Sequence, residues 1–315
     1  MAKILITGAA GYIGSLLCRV LGDDHHIVAV DNLMYSQGVL TYDALRNTNF
    51  YRCDVDNLPG HVWDDADIII PLAGYVGMPS CKKHHSESTR VNLNNVEKIV
   101  DKARDDQVIL FPNTNSGYGN VKEGICTEET PLNAISHYGK LKDQAEQVVM
   151  SHPNAVAFRL ATVFGVSPRH RIDLLVNTLV YESYFNTCMD LFDNGFRRNY
   201  VHVYDIARVF DFAIKNIDKM KGEVYNVGND KLNTTKQGIA EIIQKFFPST
   251  KINLIDRTDP DQRDYIVSSE KIAKLGFQAH YDFKYGINEL SNYYSRMPNN
   301  THQREKLTRL MRNDQ

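Results

Sequence analysis

The sequence predicts an α/β fold, a doubly wound parallel sheet with helices on both faces and a smaller α/β lobe towards the C-terminus. Three observations carry this. Short, nearly unbroken apolar runs alternate with stretches of helical period as far as about residue 165. A glycine-rich turn, Gly8-Ala-Ala-Gly11-Tyr12-Ile13-Gly14, separates the first apolar run from the first helical stretch. Beyond residue 165 the rhythm gives way to polar loops, isolated helical stretches and short strands. A strand covered on both faces has no solvent side and so loses the apolar/polar alternation. Unbroken apolar runs between helices therefore point to a parallel sheet.

Element by element, Lys3–Thr7 reads as a buried strand, and Gly14 to Leu21 opens a helix. His26–Asp31 is a second strand, and Phe50–Asp54 is a weaker third. Ile68–Leu72 is a fourth, followed by a helix through Val91 to Ala103. Val108–Phe111 is a fifth strand, Tyr138–Met150 a helix, and Ala155–Leu160 a sixth strand. A helix over Leu174–Phe185, short strands near 190–204 and 223–227, and a helix over Lys236–Phe247 follow. The charged stretch His302–Gln315 reads as an exposed helix. The expected division is residues 1–165 with about 200–228 for a nucleotide domain, and 166–199 with 229–315 for a substrate lobe.

Composition narrows the function classes. The formal net charge of −2 gives no sign of a nucleic-acid partner or an anionic membrane surface. The longest apolar run, Ile68 to Met78, is broken by Pro71, Gly74 and Gly77 and is too short to span a bilayer. The five cysteines form no C-x-x-C pair and read as reduced thiols, and no metal-ligand spacing is present. A cytoplasmic protein without a metal is the expectation.

The chemistry begins at the glycine turn. There, backbone N–H groups and a helix N-terminus can approach a pyrophosphate. Asp31 ends the second strand, where a carboxylate can accept hydrogen bonds from the adenosine ribose hydroxyls. Asn32 follows, with no Arg or Lys to receive a 2′-phosphate, which favours NAD over NADP. Asp54, after the third strand, is placed to meet the adenine amino group. Tyr138-Gly-Lys-Leu-Lys142 puts a phenol and an ammonium at i and i+4, on one side of a helix. A phenol whose pKa is lowered by nearby positive charge can take a proton from a substrate hydroxyl. Tyr118 and Lys122 have the same spacing, but Gly119, Asn120 and Gly124 make that segment a loop.

These motifs, in this order, resemble the extended short-chain dehydrogenases/reductases of the NAD-dependent epimerase/dehydratase family. The glycine turn, Asp31, Asp54-Val55, Leu72-Ala73-Gly74, Thr114-Asn-Ser-Gly-Tyr-Gly119 and Tyr138/Lys142 carry the resemblance. Arg159 with Phe164-Gly165, and Arg198-Asn-Tyr-Val-His-Val-Tyr-Asp205, extend it over nearly the whole chain. The resemblance implies a Rossmann domain with tightly held NAD and a C-terminal lobe that grips a nucleotide-diphosphate sugar. It implies Thr114, Tyr138 and Lys142 as the catalytic residues, with Lys142 also holding the nicotinamide ribose. By position, Tyr12, Ile13, Val55, Leu72, Ala73 and Gly74 join the cofactor set, and Asn92 lies near the active-site helix. Asn115, Ser116, Arg169, Asn177, Arg198 and Arg263 form the expected substrate set. A homodimer, built on the helices equivalent to 86–104 and 138–150, is also implied.

Three departures sharpen the expectation. Thr162 and Phe164 stand where the family has Asn and Tyr, and Pro71-Leu-Ala-Gly74 departs from its H-L-A-A pattern. Asn115 and Ser116 replace the Asp and Glu that sugar 4,6-dehydratases use to eliminate water, and neither can act as a base at neutral pH. What remains is oxidation at C4, ending in net dehydrogenation or in epimerisation. The narrower resemblance is to GDP-heptose 4-dehydrogenases of capsule modification. A non-catalytic NAD-binding protein on the same fold is the contrasting reading, and the presence of both Tyr138 and Lys142 speaks against it.

Overall fold

The computed structural model describes residues 1–35, 47–256, 262–298 and 300–312. Its centre is a seven-stranded, fully parallel sheet. In chain order the strands of the whole molecule are β1 Lys3–Thr7, β2 His26–Asp31, β3 Thr48–Arg52, β4 Ile68–Pro71, β5 Val108–Thr114 and β6 Ala155–Leu160. They continue as β7 Thr162–Phe164, β8 Cys188–Leu191, β9 Arg197–His202, β10 Glu223–Val227, β11 Asn229–Thr235 and β12 Lys251–Leu254. The large sheet runs β10-β6-β5-β4-β1-β2-β3, so the order reverses between β1 and β4. At such a switch point the two neighbouring crossovers leave in opposite directions and open a crevice at the strands' C-terminal ends.

The sheet forms where the apolar runs predicted it. Ile4, Leu5 and Ile6 have no exposed surface, nor do Ile69, Ile70, Ile109, Leu110 and Phe111. Pro112 looks out of place in a central strand, because proline has no N–H for a ladder. Pairing of β5 with β4, however, ends at Ile69/Ile109, whereas pairing with β6 continues to Thr114/Leu160. Past Ile109 the β4 side of β5 is already open, so no ladder bond is lost there.

Two cores follow. One packs helix Tyr12–Leu21 and helix Val203–Lys215 on the sheet, through Leu16, Leu17, Val209 and Phe210. The other joins helices Leu175–Phe185, Lys236–Phe246 and Phe283–Tyr294 around Leu179, Ile239 and Ile287. Between them sits a three-stranded sheet, β11-β9-β7, and at the far side of the lobe a pair, β12-β8. The helix expected over 91–103 is interrupted: Arg90–Asn94 forms a π-turn before the α-helix Asn95–Lys102. Helices Val203–Lys215 and Phe283–Tyr294 were not expected; both present an apolar face to a core that the local sequence does not contain. The charged C-terminal stretch is helical over Thr301–Leu310, and its last residues, 313–315, lie outside the described residues. Among the described residues no helix is long and apolar enough to cross a membrane, and no group of three or more His, Cys, Asp or Glu could hold a metal ion.

Candidate active site

One cleft runs from the glycine turn, across the β1/β4 switch point, to Tyr138 and Thr114. Its dinucleotide end is made by close backbone approach. Gly8 has φ +70°, and a Cβ there would lie 2.6 Å from the backbone nitrogen of Ala73. A Cβ on Gly14 would lie 2.3 Å from the carbonyl oxygen of Gly8. Only glycine permits this packing. No side chain caps the helix that starts at Tyr12, so its first N–H groups and its positive end are not taken by a local acceptor. Asp31 accepts the N–H of Ala10 at 3.0 Å and that of Leu33 at 2.7 Å, which fixes its carboxylate at the tip of β2. Burial raises its pKa, and the two N–H bonds oppose the rise. The glycine cradle, the uncapped helix start and a fixed acid at the ribose position fit the adenosine half of NAD.

Asp54 and Val55 also line the cleft, but the Asp54 carboxylate is already engaged. Arg90 holds both its oxygens at 3.3 Å, and the N–H of Asp56 donates to it. Burial tends to raise the Asp54 pKa, and Arg90 brings it below the ordinary value. Leu72, Ala73 and Gly74 form the opposite wall. The loop that follows is pinned by Asn92, whose Oδ1 accepts the Tyr75 N–H at 2.8 Å and whose Nδ2 donates to the Tyr75 carbonyl at 2.9 Å. Asn92 lies in the π-turn, a distortion that often marks functional sites because it re-aims one side chain.

At the other end, Thr114 closes β5 and caps the following turn by accepting the N–H of Ser116 at 3.1 Å. Its hydroxyl lies 2.9 Å from that of Ser116, and Arg263 donates to Ser116 Oγ. Tyr138 and Lys142 project from helix His137–Val149, which Ser136 caps by accepting the Gly139 N–H at 3.1 Å. That helix is held by a buried ion pair: Arg159 of β6 grips Glu146 at 2.7 Å, and Asn113 donates to Glu146 at 2.5 Å. Tyr118, the residue with the look-alike spacing, is 1% exposed and donates to the Thr127 carbonyl and to Asn226. It belongs to the scaffold.

Burial and neighbouring charges act on both catalytic candidates. Burial pushes the Tyr138 phenol up to about 12, and the cations that oppose this are Arg263 and Arg171. The Lys142 ammonium rests on the ring of Phe111, 3.9 Å from the centroid. Burial brings Lys142 down to about 7, against the pull of Glu146 and Asp143. Arg171 was missed from the sequence. It lines the cleft, pairs with Asp173, and is recognisable only as a second arginine two places after Arg169. Tyr35 was missed too, and it lines the same wall.

The structure brings Gly8, Gly11, Tyr12, Ile13, Gly14, Asp31, Asn32, Thr114, Ser116, Tyr138, Lys142, Arg169 and Arg263 to the cleft wall. Three expected substrate residues are placed behind it. Asn115 is 1% exposed, with its amide directed into the protein. Asn177 accepts the Gly165 N–H at 3.0 Å and donates to the carbonyls of Gly165 and Arg171, so it braces the loop that carries the arginines. Arg198 donates to the Arg197 carbonyl at 2.9 Å and lies over the ring of Tyr265. Asn177 and Arg198 are thus engaged by the protein itself, whereas both amide atoms of Asn115 are buried without a hydrogen-bond partner among the described residues; spacing along the chain reveals neither.

Comparison with known proteins agrees with this geometry. The low-salt glycan biosynthesis protein Agl12 of Haloferax volcanii is 26% identical over 309 residues, spanning 92% of this chain and 98% of that protein. The UDP-glucuronic acid 4-epimerase of Bacillus cereus, solved with UDP-glucuronic acid and NAD, superposes with a TM-score of 0.83 at 22% identity, over 94% of this chain and 100% of that one. The dTDP-glucose 4,6-dehydratase of Bacillus anthracis str. Ames, solved with NAD, gives 0.80 at 22% identity, over 94% and 97%. The model of the NAD dependent epimerase/dehydratase family matches residues 4–228, the whole span from β1 through β10. With the glycine cradle and the Tyr138/Lys142 helix in one cleft, this chain belongs to the NAD-dependent epimerase/dehydratase family and is an NAD-dependent enzyme.

Proposed function

We propose that the enzyme oxidises the sugar of a nucleotide-diphosphate sugar at C4 and eliminates nothing from it. The observation that supports this is the make-up of the cleft around Thr114. Among the described residues, hydroxyls, Tyr138, Lys142 and arginines line it there, while the acids on its wall, Asp31 and Asp54, stand at the dinucleotide end. Removing water across C5–C6 needs an acid and a base beside the sugar, and Asn115 and Ser116 supply neither.

NAD held in this cleft would supply the hydride acceptor for C4. The protein's part is the proton and the placement. Thr114 Oγ1 holds the C4 oxygen, and Tyr138 Oη receives the proton from that hydroxyl. Arg263 and Arg171 favour the phenolate that does so. Lys142 steadies the nicotinamide ribose on the same helix, one turn on from Tyr138. Arginine forks at 171 and 263 suit the diphosphate and the sugar substituents.

Two endings share this step. The first is return of the hydride to the opposite face, giving a C4 epimer; the likeness to UDP-glucuronic acid 4-epimerase supports it. The second is release of the ketosugar, as in GDP-heptose 4-dehydrogenation, and it rests on the sequence resemblance alone. Incubation with UDP-glucose, UDP-glucuronic acid, dTDP-glucose and a GDP-heptose, followed by mass spectrometry and NADH absorbance, tests both. A product of unchanged mass without NADH is expected for the epimerase, and loss of two hydrogens with NADH for the dehydrogenase. A product lighter by one water would overturn the proposal.

A further inference from the structure

We propose that Arg169 is a cofactor-positioning residue set in place by the C-terminal end of the chain, so that docking of that end and NAD binding are coupled. Arg169 lines the cleft although only 3% of its surface is exposed. Its backbone N–H donates to Ser15 Oγ at 3.2 Å, in the helix that opens at the glycine turn. Its guanidinium lies 5.5 Å from the Tyr35 ring centroid and within electrostatic reach of Asp31. The side chain therefore borders the part of the cleft built for the adenosine diphosphate half of the cofactor.

What holds it there comes from far along the chain. Nη1 donates to the carbonyls of His170 at 3.1 Å and Met311 at 3.3 Å, and Nη2 to that of Arg312 at 3.4 Å. The Met311 carbonyl also accepts the Ile172 N–H at 3.2 Å, so a single residue anchors both the arginine and the loop carrying it. Carbonyls orient a guanidinium without neutralising it, which leaves its positive charge for an anion in the cleft. Helix Thr301–Leu310 has a largely exposed surface, and Leu307 with Met311 supplies its apolar contact with the lobe core. Arg304 adds a contact over the Phe185 ring, 4.2 Å from its centroid, and the two carbonyl bonds tie the end of the helix to Arg169. A ligand that draws Arg169 into place strengthens them, and the coupling is reciprocal.

The test uses three proteins: the chain ended at Leu310, full-length Arg169→Lys, and the two changes combined. NAD affinity is measured by calorimetry and apo stability by thermal melting. Each single change is expected to weaken NAD by about tenfold, the size of one hydrogen bond to a charged group. The combined protein should bind no more weakly than Arg169→Lys alone, because both changes break one linkage. Hydrogen exchange on the unaltered chain gives a readout independent of any folding defect: NAD should slow exchange over residues 301–312. Full NAD affinity in the shortened chain, effects that multiply, or exchange over 301–312 indifferent to NAD would each overturn the proposal.

Discussion

The two ends of the cleft are built on different principles. The heart of the dinucleotide end is chain-local: the Gly8–Gly14 turn and Asp31 lie within the first two strands and are fixed mostly by backbone. The sugar end is assembled from distant segments. Thr114 and Ser116 come from the end of β5, Tyr138 and Lys142 from the next helix, Arg171 from the loop after β7, and Arg263 from beyond β12. A site made of backbone binds what every relative binds, whereas a site made of converging side chains can be retuned one residue at a time. This is why the cofactor is common to a family whose reactions differ.

The comparison can be broken most directly at Tyr138. Replacing it with Phe removes the proposed proton acceptor while leaving the dinucleotide end intact. Turnover should fall by roughly 10²–10⁴-fold with NAD affinity nearly unchanged, measured by steady-state kinetics and calorimetry. A variant that keeps normal turnover would remove Tyr138 from the mechanism.

The next largest effect belongs to the brace beneath the sugar end. Arg159→Ala leaves Glu146 buried without its ion-pair partner, with the Asn113 hydrogen bond remaining, for a loss of about 3–5 kcal/mol in denaturant unfolding. Activity should drop together with stability, since helix His137–Val149 carries both Tyr138 and Lys142. Less is at stake in Gly8→Ala, which forces a left-handed conformation on alanine at about 1–2 kcal/mol and drives a methyl into Ala73. NAD affinity should fall by about tenfold or more, with kcat at saturating NAD the least affected quantity. A loss of turnover without a loss of NAD affinity would show that the two ends are not separable.

The smallest effect concerns Lys142 in the cofactor-free protein. Its folded pKa is lowered to about 7 from 10.5. Below about 7 both folded and unfolded chains carry the charge, and the folded one bears the cost of burying it. Between 7 and 10.5 the unfolded chain holds more of the proton, so stability rises with pH, and above 10.5 the cost is gone. Lys142→Met should therefore raise the melting temperature at pH 6 and leave it unchanged near pH 11. A Met variant less stable at pH 6 would show that the ammonium is well accommodated as it stands.

Much of the fold was readable because parallel strands are buried on both faces, which writes them as unbroken apolar runs such as Lys3–Thr7 and Ala155–Leu160. The glycine turn was readable for a related reason, as close backbone approach demands one residue type. Helix Val203–Lys215 was not, since its apolar face is meaningful only against helix Tyr12–Leu21. The same limit applied to side-chain roles. Asn177 and Arg198 stand where ligand residues are expected, yet one braces a loop and the other lies over an aromatic ring.

By itself the sequence determined the parallel sheet, the dinucleotide turn, the acid at β2 and the Tyr138/Lys142 pair, because each is specified by residues adjacent in the chain or one helical turn apart. The tertiary structure alone decided which cations reach Tyr138, that Lys142 rests on Phe111, and that Arg169 is tied to Met311 and Arg312. Electrostatic attraction and hydrogen bonding depend on distance in space, and folding sets that distance independently of separation along the chain.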